Sequence, residues 1–402
     1  MQFKTESLIG ETWHKLLKNR LAFGGLLIIA FFSIIAILGA NIRPDKSSDA
    51  NNQILEISRQ KPGFEVTILK VARNQLIEPV PFYKLFFFGG EELDYKYIPI
   101  RSWEFVGDSI KVEMFSESEK YSESKYFFLP DVLYAIDPGK NVIFERDLYF
   151  IPLISGDYTE VSLKQMQENI PDQIENMWFI LGTDKFGRDL LSRVMAGAVV
   201  SLSVGFIAVF ISLIIGITLG AIAGYYRGWI DEVIMWLINV VWSIPTILLV
   251  IAVTLVLGKG FSQVFIAVGL TMWVEVARVV RGQVLSIREK EFVEAGRALG
   301  YSDKRIIFRH ILPNVLGPVI VISAANFAAA ILIEAGLSFL GIGAQIPMAS
   351  WGAMIKDHYH YITTQLAYLA IVPGVSIMLL VLAFMLVGNG LREALDIRSN
   401  TI

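Results

Sequence analysis

Two of the chain's four histidines, His358 and His360, flank Tyr359 beside Asp357. Two imidazoles and a carboxylate are donors that suit a divalent metal. Neighbouring loop residues also fall together without ligating anything, so no metal site is assigned. His14 and His310 stand alone and are read as surface residues. Glu275 and Arg278 lie three residues apart in an otherwise apolar stretch, a spacing that pairs opposite charges on one helix face; a structural ion pair is expected there. Phosphate, zinc-protease and hydrolase motifs are missing. No Gly-x-x-x-x-Gly-Lys-Ser/Thr, His-Glu-x-x-His or Gly-x-Ser-x-Gly occurs, so neither a P-loop nor those catalytic centres are expected. Cysteine is absent, which excludes disulfides, thiolate metal sites and a Cys nucleophile. No catalytic residue is assigned, and the chain is read as not being an enzyme.

The remaining residues describe a membrane protein. The 402 residues are 54% hydrophobic and 18% charged, against about 25% charged in soluble domains, and the mean hydropathy is +0.54. Six stretches reach the roughly 20 apolar residues that cross a bilayer: 21–42, 194–226, 233–258, 260–280, 311–333 and 361–391. The first exceeds the apolar run of a cleavable signal, about 7–15 residues, and is read as a retained span. Lys and Arg at the span ends set orientation. Lys4, Lys15, Lys18 and Arg20 precede the first span, Arg227 follows the second, and Arg392 and Arg398 follow the sixth. The 281–310 loop carries seven basic residues, from Arg281 to Arg309. Only Lys259 and Lys356 occupy the opposite short loops. Both termini and the 281–310 loop are therefore expected in the cytoplasm, with 43–193 outside.

The net charge of -3 is uneven. Residues 43–193 hold 18 basic and 25 acidic side chains. That segment contains a separate region, 43–182, with strand-like patterns over 64–71, 102–106, 110–114 and 142–151. Gly107-Asp108 fits a hairpin turn. Residues 162–177 read as helical, interrupted at Pro171. Phe82, Tyr83, Phe86, Phe87, Phe88, Tyr95, Tyr97, Trp103, Phe127 and Phe128 are read as core filling, with a docking surface as the alternative.

Inside the spans, Ser212, Gly216, Gly220 and Gly224 form one row of small residues and Gly197, Ser201 and Gly205 another. Such rows let helices approach closely in lipid. Pro245 is expected to kink the third span. Asn239, Ser323 and Asn326 are mid-span polar groups and the candidate lining of a translocation path, with bonding to neighbouring helices the other reading.

The 286–313 loop reads as two short helices. Gly300 is placed to end the first in a left-handed cap. Ser302 is placed to cap the second, with Asp303 in its first turn. Its Glu294-Ala295-Gly296, Gly300-Tyr301-Ser302 and Leu312-Pro313 resemble the EAA loop of permease subunits of binding-protein-dependent ABC importers. Gly296 replaces the usual Ala, and His310 stands where Ile is common. Gly182-Thr183-Asp184-Lys185-Phe186-Gly187-Arg188-Asp189 with Ser192-Arg193 resembles the signature of the oligopeptide/dipeptide (nickel) permease C-type branch before the second span. Leu337–Gly343 with Pro347 and Ser350-Trp351-Gly352, and Gly390–Asp396, resemble two further signatures of that branch. Val199, Trp236, Asn239, Ile346 and Ala349 depart from it, and the external insert is longer.

The resemblance implies an all-α polytopic membrane protein of six transmembrane helices, the type I ABC importer permease fold, with a β-rich or α/β extracytoplasmic insert between helices 1 and 2. Its parts would be 1–42, the insert 43–182 and the permease core 183–398. It implies import of peptides by alternating access in a bacterial inner membrane. Nickel, another metal chelate or a peptide antibiotic is the alternative cargo. The implied partners are a sister permease, two ATPase subunits and an extracytoplasmic solute-binding protein. ATP and Mg would be used by the ATPases, with no cofactor held by this chain. The EAA loop, with Glu294, Ala295, Gly296, Gly300, Tyr301, Ser302, Leu312 and Pro313, would couple to them. A membrane-anchored sensor leaves that loop unexplained, and an intramembrane enzyme lacks a catalytic pair.

Overall fold

A computed structural model describes residues 8–76, 81, 94–116, 123–258, 260–345 and 347–395. Lys4, Phe82, Tyr83, Phe86, Phe87, Phe88, Lys259, Ile346, Asp396 and Arg398 lie outside the described residues. The chain divides into two compact units, one of Met1–Ala36, Gly197–Ile362 and Ala370–Ile402, the other of Ile37–Ala196 and Thr363–Leu369.

The first unit is helical. Helix α1 (Leu8–Lys18) is amphipathic and α2 (Arg20–Ile42) is apolar. The other long helices are α5 (Leu190–Tyr226), α8 (Phe261–Arg288), α11 (Leu312–Phe339) and α13 (Tyr368–Leu395). Between α8 and α11 lie α9 (Glu291–Ala298) and α10 (Asp303–Ile306). Trp351–His358 forms α12. Among the described residues, five helices are long and apolar enough to cross a membrane, or up to six if one bent pair counts as a span.

That pair corrects the expected span 233–258. It is two helices, α6 (Gly228–Trp242) and α7 (Thr246–Leu257), bent by 93°. The break falls where Pro245 sits in an extended conformation (φ -53°, ψ 124°), since proline removes a donor and biases its neighbour away from helix. Other span limits shift too. The second span starts at Leu190 rather than 194, and the fourth runs on to Arg288. The fifth is continuous from Asp303, because Ile307–Ile311 forms a π turn joining α10 to α11. The sixth starts at Tyr368, since the polar 361–367 stretch makes turns.

The glycine rows are contact surfaces. A Cβ on Gly216 would stand 2.5 Å from Val276, and on Gly220 2.5 Å from the Ala277 carbonyl oxygen. On Gly224 it would stand 2.8 Å from Val284. This row therefore seats α5 on α8. In the other row, Gly205 meets Phe327 and Gly197 meets Trp351.

The second unit holds two antiparallel sheets. β1 (Phe64–Ala72), β2 (Tyr95–Val106), β3 (Ser109–Met114) and β4 (Ser124–Phe128) join a later strand, β8 (Ile174–Phe179), in the order β4-β3-β2-β1-β8. β5 (Ile143–Glu145), β6 (Leu148–Pro152) and β7 (Tyr158–Ser162) make the other sheet. Gly107, at φ 63°, turns β2 into β3. The strand expected over 142–151 is instead a hairpin. Arg146 and Asp147 take positive φ of 51° and 62°, the backbone that a tight hairpin turn needs. The helix expected over 162–177 ends early. α3 (Leu129–Leu133) precedes the second sheet, and α4 (Leu163–Asn169) starts from a capping box of Ser162 and Gln165. Pro171 then opens a short 3₁₀ turn, and 174–177 belongs to β8.

The core of this unit is mainly aliphatic: Leu69, Ile100, Ile110, Val112, Ile151 and Ile170 are among its buried members. Phe127 and Phe128 pack partly against it, whereas Trp103 is 37% exposed on the outer face of β2. The expected core filling therefore holds for Tyr97, Phe127 and Phe128, which pack against buried clusters, and fails for Trp103, which lies in the wholly exposed 101–106 end of β2.

Candidate coupling loop and translocation path

The loop between α8 and α11 is built from two opposite requirements on short helices. Val293, Ile306, Ile307 and Ile311 are buried and join Val276, Val280, Val284, Val315 and Val319 in one cluster. The loop therefore stands on its own bundle. α9 ends at Gly300, whose φ is +75°. The Tyr301 N–H donates to the Gly296 carbonyl (3.0 Å) and the Gly300 N–H to that of Arg297 (2.9 Å). These two bonds make a Schellman end, which favours glycine in the left-handed region. Gly296 is buried, and a Cβ there would touch Tyr301 at 3.5 Å.

Ser302 has the extended backbone of an N-cap but no side-chain cap bond, so its expected hydroxyl cap is not made. Asp303 instead accepts the Tyr225 hydroxyl at 2.6 Å, tying the turn to the end of α5. His310 is half-buried and stacks on Tyr301, ring centres 5.7 Å apart. That corrects its reading as an isolated surface residue; it lies within the Ile307–Ile311 π turn. Arg305 covers Tyr301 at 3.9 Å.

Outward, the loop presents Glu294, Ala295, Gly300 and Ser302, with Pro313 exposed in the first turn of α11 and Leu312 half-buried. Around them stand Phe292, Leu299 and Phe308, the last two each 70% exposed. These three were not singled out from the sequence. Their signal was there: apolar side chains off the buried positions of a short amphipathic helix.

The candidate path residues do not converge. Asn239 is exposed on α6. The Ser323 hydroxyl donates to the Val319 carbonyl of its own helix at 2.6 Å. Asn326 is 1% exposed, and its Nδ2 has no partner. A cavity of about 150 Å³ lies elsewhere, at the break between α6 and α7. Trp242, Thr246, Thr271, Glu275, Ala329 and Ile333 line it.

Glu275 and Arg278 do not form the ion pair that their spacing predicts. Arg278 lies over the Trp242 ring at 3.6 Å. Glu275 is exposed, and no salt bridge to it is formed among the described residues. Arg281, one turn further on, takes Asp231 instead. Glu334 is a carboxylate that the span-by-span reading missed. It is 1% exposed and accepts the hydroxyls of Ser338 (2.6 Å) and Ser350 (2.9 Å). His358 is also buried, with its Nδ1 at 2.8 Å from the Met354 carbonyl, while His360 is exposed.

In the second unit the 182–193 segment is a buried polar knot. Arg188 and Asp184 are each 2% exposed and paired, Nε to Oδ2 at 2.6 Å. Arg188 also reaches Asn51 Oδ1 (3.1 Å), and the Asp45 N–H donates to Ser192 Oγ (3.0 Å). Gly187 has φ +71°, and a Cβ would sit 1.7 Å from the Ile54 carbonyl oxygen. Burial pushes the Asp189 carboxyl above its ordinary range, partly offset by hydrogen bonds from Ser192.

Residues 216–400 match the family model of the binding-protein-dependent transport system inner membrane component. Residues 7–62 match the N-terminal TM domain of oligopeptide transport permease C. A dipeptide transport system permease protein of Alkalihalophilus pseudofirmus is 44% identical over 248 residues, covering 61% of this chain and 80% of that protein. The chain belongs to the binding-protein-dependent transport system inner membrane component family. The oligopeptide transport system permease protein of Bacillus subtilis is 38% identical over 61% of this chain and 79% of its own length. A glutathione transport system permease protein of Pectobacterium atrosepticum is 42% identical over 54% and 71%. An inward-facing structure of the MetNI methionine ABC transporter aligns at 20% identity and TM-score 0.44, over 51% of this chain and 97% of that one. The family's members are membrane components of transport systems, and this chain is a transport subunit rather than an enzyme.

Proposed function

We propose that this chain is one membrane-spanning subunit of a peptide-importing ABC transporter of the type I permease fold. It works in the bacterial inner membrane beside a sister permease, with two cytoplasmic ATPases and an extracytoplasmic binding protein. Its termini and the Glu291–Ile311 loop face the cytoplasm. The 43–182 insert faces outward. ATP and Mg belong to the ATPases, and their closure moves the loop and rocks the helices between inward-open and outward-open states.

The observation that carries this reading is the two-sided loop. One face is buried on the bundle, while Glu294, Phe292, Leu299 and Phe308 stand outward. A rigid helix so seated transmits a push rather than absorbing it. Relatives named for dipeptide, oligopeptide and glutathione transport support the cargo class.

The test is Gly300→Val. A left-handed β-branched residue costs about 1–2 kcal/mol, enough to misplace α9 without unfolding a bundle that Gly300 does not touch. Peptide uptake and co-purification of the ATPases should both fall, with the chain still membrane-inserted. Uptake equal to the parent would sink the coupling role.

A further inference from the structure

The break in the third span leaves one ionisable group in a place where lipid offers it nothing. Glu275 is residue 15 of the 28 in α8, about 21 Å along the helix at 1.5 Å per residue. It lies inside the expected span 260–280, about one and a half turns from its end, where an ionisable side chain is costly and marks a functional site by default. Its natural counter-ion is one turn away, yet Arg278 is held on the Trp242 indole at 3.6 Å. The next cation, Arg281, is held by Asp231 through two bonds. Both positive charges of this helix stretch are thus occupied on α6, and the Glu275 carboxylate is left to the cavity.

The cavity suits a cation's company. Beside Glu275 it has the hydroxyl-bearing Thr246 and Thr271 and the Trp242 ring. It opens at the carboxyl end of α6, where the helix presents partial negative charge. Ala329 and Ile333 of α11 also line it. Broken helices at mid-membrane are where transporters commonly hold their solutes.

We propose that Glu275 receives the protonated amine of the cargo as it passes the α6–α7 break. This rests on the peptide reading above, since every unblocked peptide carries an α-ammonium group. Arg278 on Trp242 is a positioning residue here: it keeps the carboxylate unpaired and the indole fixed.

The natural absence of cysteine gives a charge-specific test. The complete transporter carries Glu275→Cys, with cysteines in the partner chains replaced, in proteoliposomes loaded with ATP. Uptake of labelled alanyl-alanine should fall about tenfold, the loss of one charge-assisted contact. Methanethiosulfonate ethylsulfonate, which restores a negative charge, should return at least half of the uptake. Methanethiosulfonate ethylammonium should return none. Recovery of the sister permease should match the parent. The proposal is overturned if Glu275→Cys transports normally, if both reagents or neither restore uptake, or if the sister permease is lost, which would make its own cation the partner. A parent transporter that imports neither dipeptides nor longer peptides overturns the peptide reading first, and this site with it.

Discussion

Arg281 grips Asp231 with two parallel bonds, Nε to Oδ1 at 2.5 Å and Nη2 to Oδ2 at 2.6 Å. The pair joins α8 to the first turn of α6, just before the bent segment. Its side chains are 26% and 16% exposed, between a surface pair and a buried one. Removing one partner leaves a half-buried charge alone. Asp231→Asn should therefore cost roughly 1–3 kcal/mol, read as a lower unfolding temperature of the detergent-solubilised chain. The exchanged pair, Asp231→Arg with Arg281→Asp, should recover part of it. A single variant as stable as the parent would show that the bonds do not brace the helices.

Neighbouring glycines of α2 give a sharper comparison. A Cβ on Gly24 meets nothing within 4 Å, while one on Gly25 would stand 2.7 Å from the Ala383 carbonyl oxygen. Gly220 meets the Ala277 carbonyl oxygen at 2.5 Å. Backbone cannot swing aside as a side chain does. Gly25→Ala and Gly220→Ala should each lose about 1–3 kcal/mol, and Gly24→Ala should stay within about 0.5 kcal/mol of the parent. Yield of monodisperse protein after extraction and its unfolding temperature distinguish them. Equal behaviour at residues 24 and 25 would refute the close packing of α2 on α13.

How far the sequence carried the fold follows from which signals are local. Apolar runs placed every long helix, because a bilayer demands length and little else. The Gly300 cap was legible because left-handed backbone selects one residue type. Partner choice was not. Glu275–Arg278 had the right spacing, yet Arg278 went to Trp242, 36 positions away in sequence but adjacent across the bend. Glu334 hid in an apolar run, since Ser350, which donates to one of its oxygens, lies on the next segment. The 142–151 hairpin was missed because Arg146-Asp147 is not a glycine turn, and its positive φ comes from tertiary pairing of β5 with β6. The path residues Asn239, Ser323 and Asn326 were chosen for polarity alone, and only the 93° bend places a cavity elsewhere.

Asp189 predicts a pH effect with a definite sign. It precedes α5 and accepts from the Ser192 N–H at 2.8 Å through Oδ2, while its Oδ1 has no partner. Burial, with Asp45 nearby as a smaller contribution, raises its pKa above the ordinary 3.8. The folded chain thus binds this proton more readily than the unfolded chain, so ionisation here opposes folding. The full cost is present above the raised folded value. It fades as pH falls through that value, and it is gone below about the ordinary 3.8. Asn at this position keeps an acceptor for Ser192 and remains a good helix cap, without the charge. Asp189→Asn should therefore unfold at the same or a higher temperature than the parent at pH 7.5. Its advantage should shrink at pH 4.5, read by scanning fluorimetry of the full chain in detergent. An advantage that grows on acidification would mean that the ionised carboxylate, through its bonds to Ser192, is the stabilising form.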